Sequence, residues 1–287
     1  MTERIEVRKT YKLFINGAFV RSESGRSYEV FSHDGEFLAN VAHASRKDAR
    51  DAVVAARAGQ AVWAKATAYN RGQVLFRVAE VMESRRAQFE EELRRTENVS
   101  EKKARKAVDN AIDRVVWYAG WTDKLAAIAG ANNPVAGPYF NFTVPEPTGV
   151  IAIMAPQSDS LLGLLSVILP AIASGNSTVV VTSFHRPIPA ITLSEVLATS
   201  DVPAGVVNIL TGDFSEIGTW LAEHSDVDGI DLAGVPVGDF ATKLEALAAS
   251  NIKRVARPFT GDWNDEPSLY RLRQWIESKT VWHPIGA

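Results

Sequence analysis

Apolar and polar positions change rhythm twice along this chain. Tyr11-Lys-Leu-Phe-Ile-Asn-Gly-Ala-Phe-Val20 has strand character, with a hairpin turn at Asn16-Gly17. Ser45-x-x-Asp48 resembles a capping box, so the spacing predicts a helix start near Ser45 and an alanine-rich body to about Trp63. Asn70-x-x-Gln73 offers a second cap. Val74, Val78, Val81, Met82, Phe89 and Leu93 then keep helical spacing over many turns. A third helix fits Glu101 to Ile128, with Val108, Ile112, Val115 and Val116 along one side. Gly130-Ala-Asn-Asn-Pro134 ends this mainly helical part.

Tyr139 to Val144 reads as a strand, closed by Pro145 and Pro147. From Gly149 the rhythm becomes strand and helix in alternation. Strands are predicted at Val150–Ala155, Ser177–Thr182, Val206–Leu210 and Gly229–Leu232, and helices at Leu161–Ala173, Ile191–Thr199 and Glu216–Glu223. Strands that are apolar on both sides must be covered on both faces. The pattern therefore predicts an α/β fold with a doubly wound parallel sheet, an architecture that often binds nucleotides. The last stretch differs again. Arg257 to Pro267 has the composition of a loop, Leu269, Leu272, Trp275 and Ile276 give the next helix an apolar face, and Thr280-Val-Trp282 reads as a short strand.

Composition narrows the chemistry. The 287 residues contain no cysteine, which removes disulfides, thiolate metal sites and a catalytic thiol. Five histidines lack an i, i+4 partner or acidic neighbours at ligand spacing, so no metal site is expected. A formal net charge of −3 gives no basic field for nucleic acid. The basic run within Glu101–Lys106 is followed by Asp109 and Asp113 and reads as a solvated helix side. The longest apolar stretch, Leu161 to Ala173, is too short for a membrane span, and a cytoplasmic location is expected.

Several segments, in order, resemble the aldehyde dehydrogenase superfamily: Phe14-Ile-Asn-Gly17, Glu146-Pro-Thr-Gly-Val150, Pro170-Ala-Ile-Ala-Ser-Gly-Asn176, Val202 to Gly212, and His224-Ser-Asp-Val-Asp228. Lys279-Thr-Val-Trp282 further resembles the last strand of that family's oligomerisation domain. The resemblance implies a Rossmann-like domain for NAD or NADP over residues 1–255, with 136–149 lending a strand to a small β oligomerisation element. Residues 256–267 stand as a linker where the family has its catalytic domain, and 268–287 form the oligomerisation helix and strand. The family's reaction uses a cysteine thiolate on an aldehyde, a nicotinamide hydride acceptor, an oxyanion-stabilising asparagine and a general-base glutamate.

Each implied role can be set against this chain. The cysteine is missing altogether. The asparagine position falls in Pro156-Gln-Ser-Asp-Ser160 as Ser158, and the glutamate position falls at Pro258. The ribose-binding lysine is Val181, the glutamate often found near it is Phe184, a turn glycine is Phe214, and a phosphate-contacting serine is Val235, followed by Pro236. Pro156, Ser183, Gly218 and Gly234 are what remains of the cofactor positions, and each also suits a tight turn. No catalytic residue is assigned. A new triad of Ser158, Asp159 and His185 would need a geometry that sequence does not supply.

The expectation is a non-catalytic subunit that associates with a full-length aldehyde dehydrogenase or with itself, docking through Leu269, Leu272, Trp275, Ile276, Val281 and Trp282. Two alternatives stay open: an oxidoreductase subunit that binds NAD(P), and a nucleotide-sensing module.

Overall fold

A computed structural model describes residues 9–286. The first strands are β1 (Thr10–Tyr11), β2 (Leu13–Ile15), β3 (Ala18–Val20), β4 (Ser27–Phe31) and β5 (Phe37–Ala42). Helices α1 (Arg46–Trp63), α2 (Ala68–Ser84), α3 (Arg86–Glu97), α4 (Glu101–Trp121) and α5 (Leu125–Ala129) follow. Strands β6 (Ala131–Asn133), β7 (Tyr139–Pro147) and β8 (Val150–Met154) lead into the alternating part. It runs α6 (Leu162–Ala173), β9 (Ser177–Val181), α7 (Ile188–Ala198), β10 (Val207–Leu210), α8 (Phe214–Glu223), β11 (Gly229–Asp231), α9 (Asp239–Ala248) and β12 (Arg254–Ala256). The last elements are α10 (Leu269–Arg273) and β13 (Ile276–Pro284).

The main sheet has the order β12-β11-β8-β9-β10-β2-β3. The pairs from β12 to β10 are parallel, and the β2–β3 hairpin joins β10 antiparallel. All five residues of β8 and of β9 are buried, as a sheet covered on both faces requires. Ile151 and Ile153 face a core built with α2, α3, α4, α6 and α7. Val150, Ala152 and Met154 face a second core built with α1, α8 and α9. A smaller sheet, β13-β7-β6, stands apart from the main one.

Local signals explain most boundaries. Ser45 and Asp48 form the capping box of α1, with each side chain bonded to the other residue's backbone. The next cap is Thr67 rather than Asn70; its Oγ1 accepts from the Asn70 amide at 3.2 Å. The long periodic stretch breaks at Arg85 into α2 and α3, and Glu101 to Ile128 divides after Trp121. Pro145 and Pro147 do not close β7. The β6 partner reaches only to Thr143, so beyond it β7 has one neighbour, and missing donors on a half-open edge are tolerated. β4, β5 and α9 have no counterpart in the sequence pattern.

The C-terminal segment corrects one expectation. Leu272 and Trp275 are fully buried within this chain and Ile276 is 8% exposed, so these residues form no external face. α10 packs against α6, and the Trp275 carbonyl accepts from Asn176 Nδ2 at 2.8 Å. Gly229 makes room for the indole: a Cβ there would lie 2.7 Å from Trp275 Cζ3. Leu269 is half-buried against the same core. An apolar helical face is satisfied by the nearest apolar surface, and here the chain itself provides it. Val281 and Trp282 stay uncovered to different degrees, half-buried and 59% exposed. β13 pairs with β7 over all nine residues, with Trp282 opposite Asn141.

Candidate functional site

The chain runs outward from β8 through β9 to β10, then returns to β11 and β12 on the other side of β8. The switch point therefore lies between β8 and β11, beyond their C-terminal ends, where open α/β sheets place ligands. A crevice of about 720 Å³ lies there, walled by the loop from Pro156 to Asp159, the turn from Ala233 to Pro236, and Phe259 to Trp263. Its lining contains no lysine, arginine or histidine.

The β8 loop is tied to its neighbours. Gln157 Nε2 donates to the Ala155 carbonyl at 2.8 Å, and its Oε1 accepts from the Phe184 amide at 3.0 Å. Ser183 Oγ donates to the Gln157 carbonyl at 2.9 Å. Gln157 thus knits the loops after β8 and β9 together. Asp159 caps α6 by accepting from the Gly163 amide at 2.7 Å. Burial raises its carboxyl to about 6 despite those backbone bonds. Pro156 and Asp159 both press on Gly163, where a Cβ would sit 3.1 Å from each. Ser158 offers its carbonyl to Arg186 Nη1 at 2.6 Å. His185 lies edge-on to Phe184 and lines a separate cleft with Tyr28 and His33. Among the described residues no hydrogen bond joins Ser158, Asp159 and His185, so the structure does not assemble them as a triad.

The other positions of interest are equally committed. Val181 is fully buried in β9. Phe184 stacks on Tyr28 with ring centroids 4.6 Å apart, and Phe214 meets Phe240 at 5.9 Å between α8 and α9. The Gly234 amide donates to the Met154 carbonyl and the Val235 amide to the Leu232 carbonyl, both at 2.8 Å. Pro236 has no amide to offer. A Cβ on Gly234 would lie 1.8 Å from the Ala155 carbonyl oxygen, so close packing explains that glycine. Gly218 is different: its nearest neighbours would be Met154 Cε and Sδ at 3.7 Å. Asp213 caps α8, Glu216 lies in its first turn, and Asp239 opens α9. Both helix starts therefore carry negative charge.

Sequence reasoning missed two arginines. Arg114 sits in the apolar stripe of α4 between Ala111, Ile112 and Val115, and that interruption is the available signal. Its guanidinium donates to Ser166 Oγ at 2.8 Å and to the carbonyls of Trp263 at 2.9 Å and Asp265 at 2.8 Å. Arg271 lies over the rings of Phe259 and Trp263, 5.0 and 4.9 Å from their centroids, and 3.4 Å from Asp231. Together they hold residues 257–268 across the end of the sheet.

A profile of the aldehyde dehydrogenase family matches residues 19–261. The chain belongs to the aldehyde dehydrogenase family. Retinal dehydrogenase 2 of Gallus gallus is 34% identical over 270 residues, covering 91% of this chain and 50% of that protein. Cytosolic 10-formyltetrahydrofolate dehydrogenase of Mus musculus is 33% identical over 272 residues, covering 90% of this chain and 29% of that protein. The structure of an aldehyde dehydrogenase from Bacillus cereus with NAD+ superposes with a TM-score of 0.81 at 27% identity, covering 86% of this chain and 50% of that one. This member spans about half the length of the retinal dehydrogenase and of the Bacillus cereus enzyme, and under a third of the folate enzyme. Among its described residues no helix is long and apolar enough to cross a membrane.

Proposed function

We propose that this aldehyde dehydrogenase homologue is a non-catalytic cytoplasmic subunit that docks on a full-length, active member of the family. The observation that carries this reading is β13. It is a nine-residue edge strand, paired with β7 on one side and open on the other, with Trp282 at its exposed end. An open edge of this length is a liability in isolation and a template for strand addition. The absence of cysteine and the proline at position 258 support a silent role for this chain in the chemistry.

The residues at the switch point do not fit a dinucleotide. Phe184 and Val181 cannot bond ribose hydroxyls. Phe214 and Phe240 fill the space between α8 and α9 with each other. The turn from Gly234 to Pro236 has no amide left for a phosphate, and the acidic helix starts oppose one. No reaction step is assigned to NAD(P) in this chain. The preserved strand order and Pro156, Ser183, Gly218 and Gly234 favour the competing reading of an NAD(P)-binding subunit or sensor. Calorimetric titration with NAD and NADP separates the two, since saturable micromolar binding contradicts the non-binding reading.

Co-expression with a full-length dehydrogenase, followed by size-exclusion chromatography, tests the docking. A stable complex is expected, and elution of this chain as a lone monomer refutes it. The double variant Val281→Asp, Trp282→Asp is expected to abolish the complex without unfolding the main domain. A complex that survives both changes rules out docking through β13.

A further inference from the structure

A cavity of about 670 Å³ lies between α4, β12, α10 and the segment 257–268 that covers it. Its volume is within the range of small-molecule pockets. Arg114 forms part of the wall and is 8% exposed. All three of its acceptors are neutral: one hydroxyl and two carbonyls. Glu266 and Asp159 act on it only at longer range. Arg271, on the same wall, has the buried carboxylate of Asp231. Arg257, also on the wall, is exposed and lies 3.5 Å from Glu245, so Arg114 and Arg271 share the one close carboxylate of Asp231. A buried charge without a counter-ion is unfavourable, and guanidinium does not escape by losing a proton. The acidic groups of Asp262, Asp265 and Glu266 belong to exposed residues on the rim, and Asp262 is occupied by Asn264.

The remaining wall is aromatic. Phe259 and Trp263 pack with ring centroids 4.1 Å apart, and Tyr118 is buried beside both arginines. We propose that this cavity binds a small monocarboxylate with an apolar body, its carboxylate on Arg114 and its hydrocarbon against Phe259 and Trp263. A carboxylate would give Arg114 a close counter-ion, and a neutral molecule would leave it without one. The inference does not depend on the docking of β13.

Isothermal titration of the full chain with phenylacetate, hexanoate, phenylacetamide and sulfate tests the proposal. Saturable binding of the two acids is expected, with the amide at least tenfold weaker and sulfate unable to compete. Arg114→Lys, which keeps the charge but loses the fork, is expected to weaken phenylacetate at least tenfold. Ser268→Asp adds a negative charge on the cavity wall and preserves the cap of α10, where Ser268 accepts from the Tyr270 amide. It is expected to weaken the acids several-fold at unchanged stability, so the location stays testable if Arg114→Lys fails to fold. Equal binding of acid and amide, displacement by sulfate (an adventitious ion only), indifference to Ser268→Asp, or no binding at all each overturns the proposal.

Discussion

Gly218 and Gly234 look alike in sequence, as glycines beside a nucleotide-type turn, yet the structure gives their replacement by alanine opposite signs. Gly218 lies inside α8, where alanine is the better helix former by about 1 kcal/mol. A Cβ there would rest 3.7 Å from Met154 Sδ and 3.8 Å from Phe240 Cζ, ordinary contacts that bury the added methyl without displacing anything. Gly218→Ala should therefore stabilise the fold by about 1 kcal/mol, a rise of roughly 2–4 °C in Tm for a chain of this size. Gly234→Ala places its methyl 1.8 Å from the Ala155 carbonyl oxygen and 2.4 Å from its carbon, both backbone atoms that cannot swing aside. The β8 loop would have to move, and a loss of about 3 kcal/mol or more is expected. Urea unfolding of the two variants beside the parent chain measures both. A destabilised Gly218→Ala protein would mean that the packing between α8, β8 and Phe240 is not as described. A neutral Gly234→Ala would mean the same of the β11 turn.

Other outcomes follow from burial and charge. Trp275→Ala should lose about 3–5 kcal/mol, because removing a fully buried indole leaves a cavity; a loss below 1 kcal/mol by urea unfolding would show that the C-terminal segment is not integral to the core. Glu92 is raised to about 7, chiefly by burial, and its Oε2 has no hydrogen-bond partner. Between the unfolded value and about 7 the native state holds the extra proton, so Glu92 makes stability fall as pH rises through this window, by a few kcal/mol in all. Glu92→Gln should flatten that slope in thermal melts from pH 4.5 to 8, and an unchanged slope would assign it to another group.

The alternating half of the fold is legible because burial on both faces leaves an unbroken apolar run, as in Val150 to Met154. α9 escapes because only Ala241, Leu244 and Ala248 of its ten residues are buried, too thin a stripe to stand out. β4 escapes for a similar reason, with Val30 its one buried residue. The stripe Leu269, Leu272, Trp275 and Ile276 states correctly that it must be covered. Periodicity carries no information about which surface covers it, and here that surface is α6 and strands β8 and β11 of the main sheet. At the candidate site the lost side chains can be read directly from their identities. What replaces them is a matter of tertiary contact: Gln157 knitting two loops, and Arg114 holding a segment more than a hundred positions away in the chain.

The seat of Trp275 also bears on how the molecule is made. Every strand of the parallel sheet is synthesised before this residue leaves the ribosome. Until it does, Ile151 and Gly229 border an empty slot, and Asn176 lacks one of its acceptors. The sheet can collapse early, but its final packing must wait for a tryptophan encoded after every one of its strands. A chain released before Leu272 would leave that apolar slot between β8 and β11 open to water.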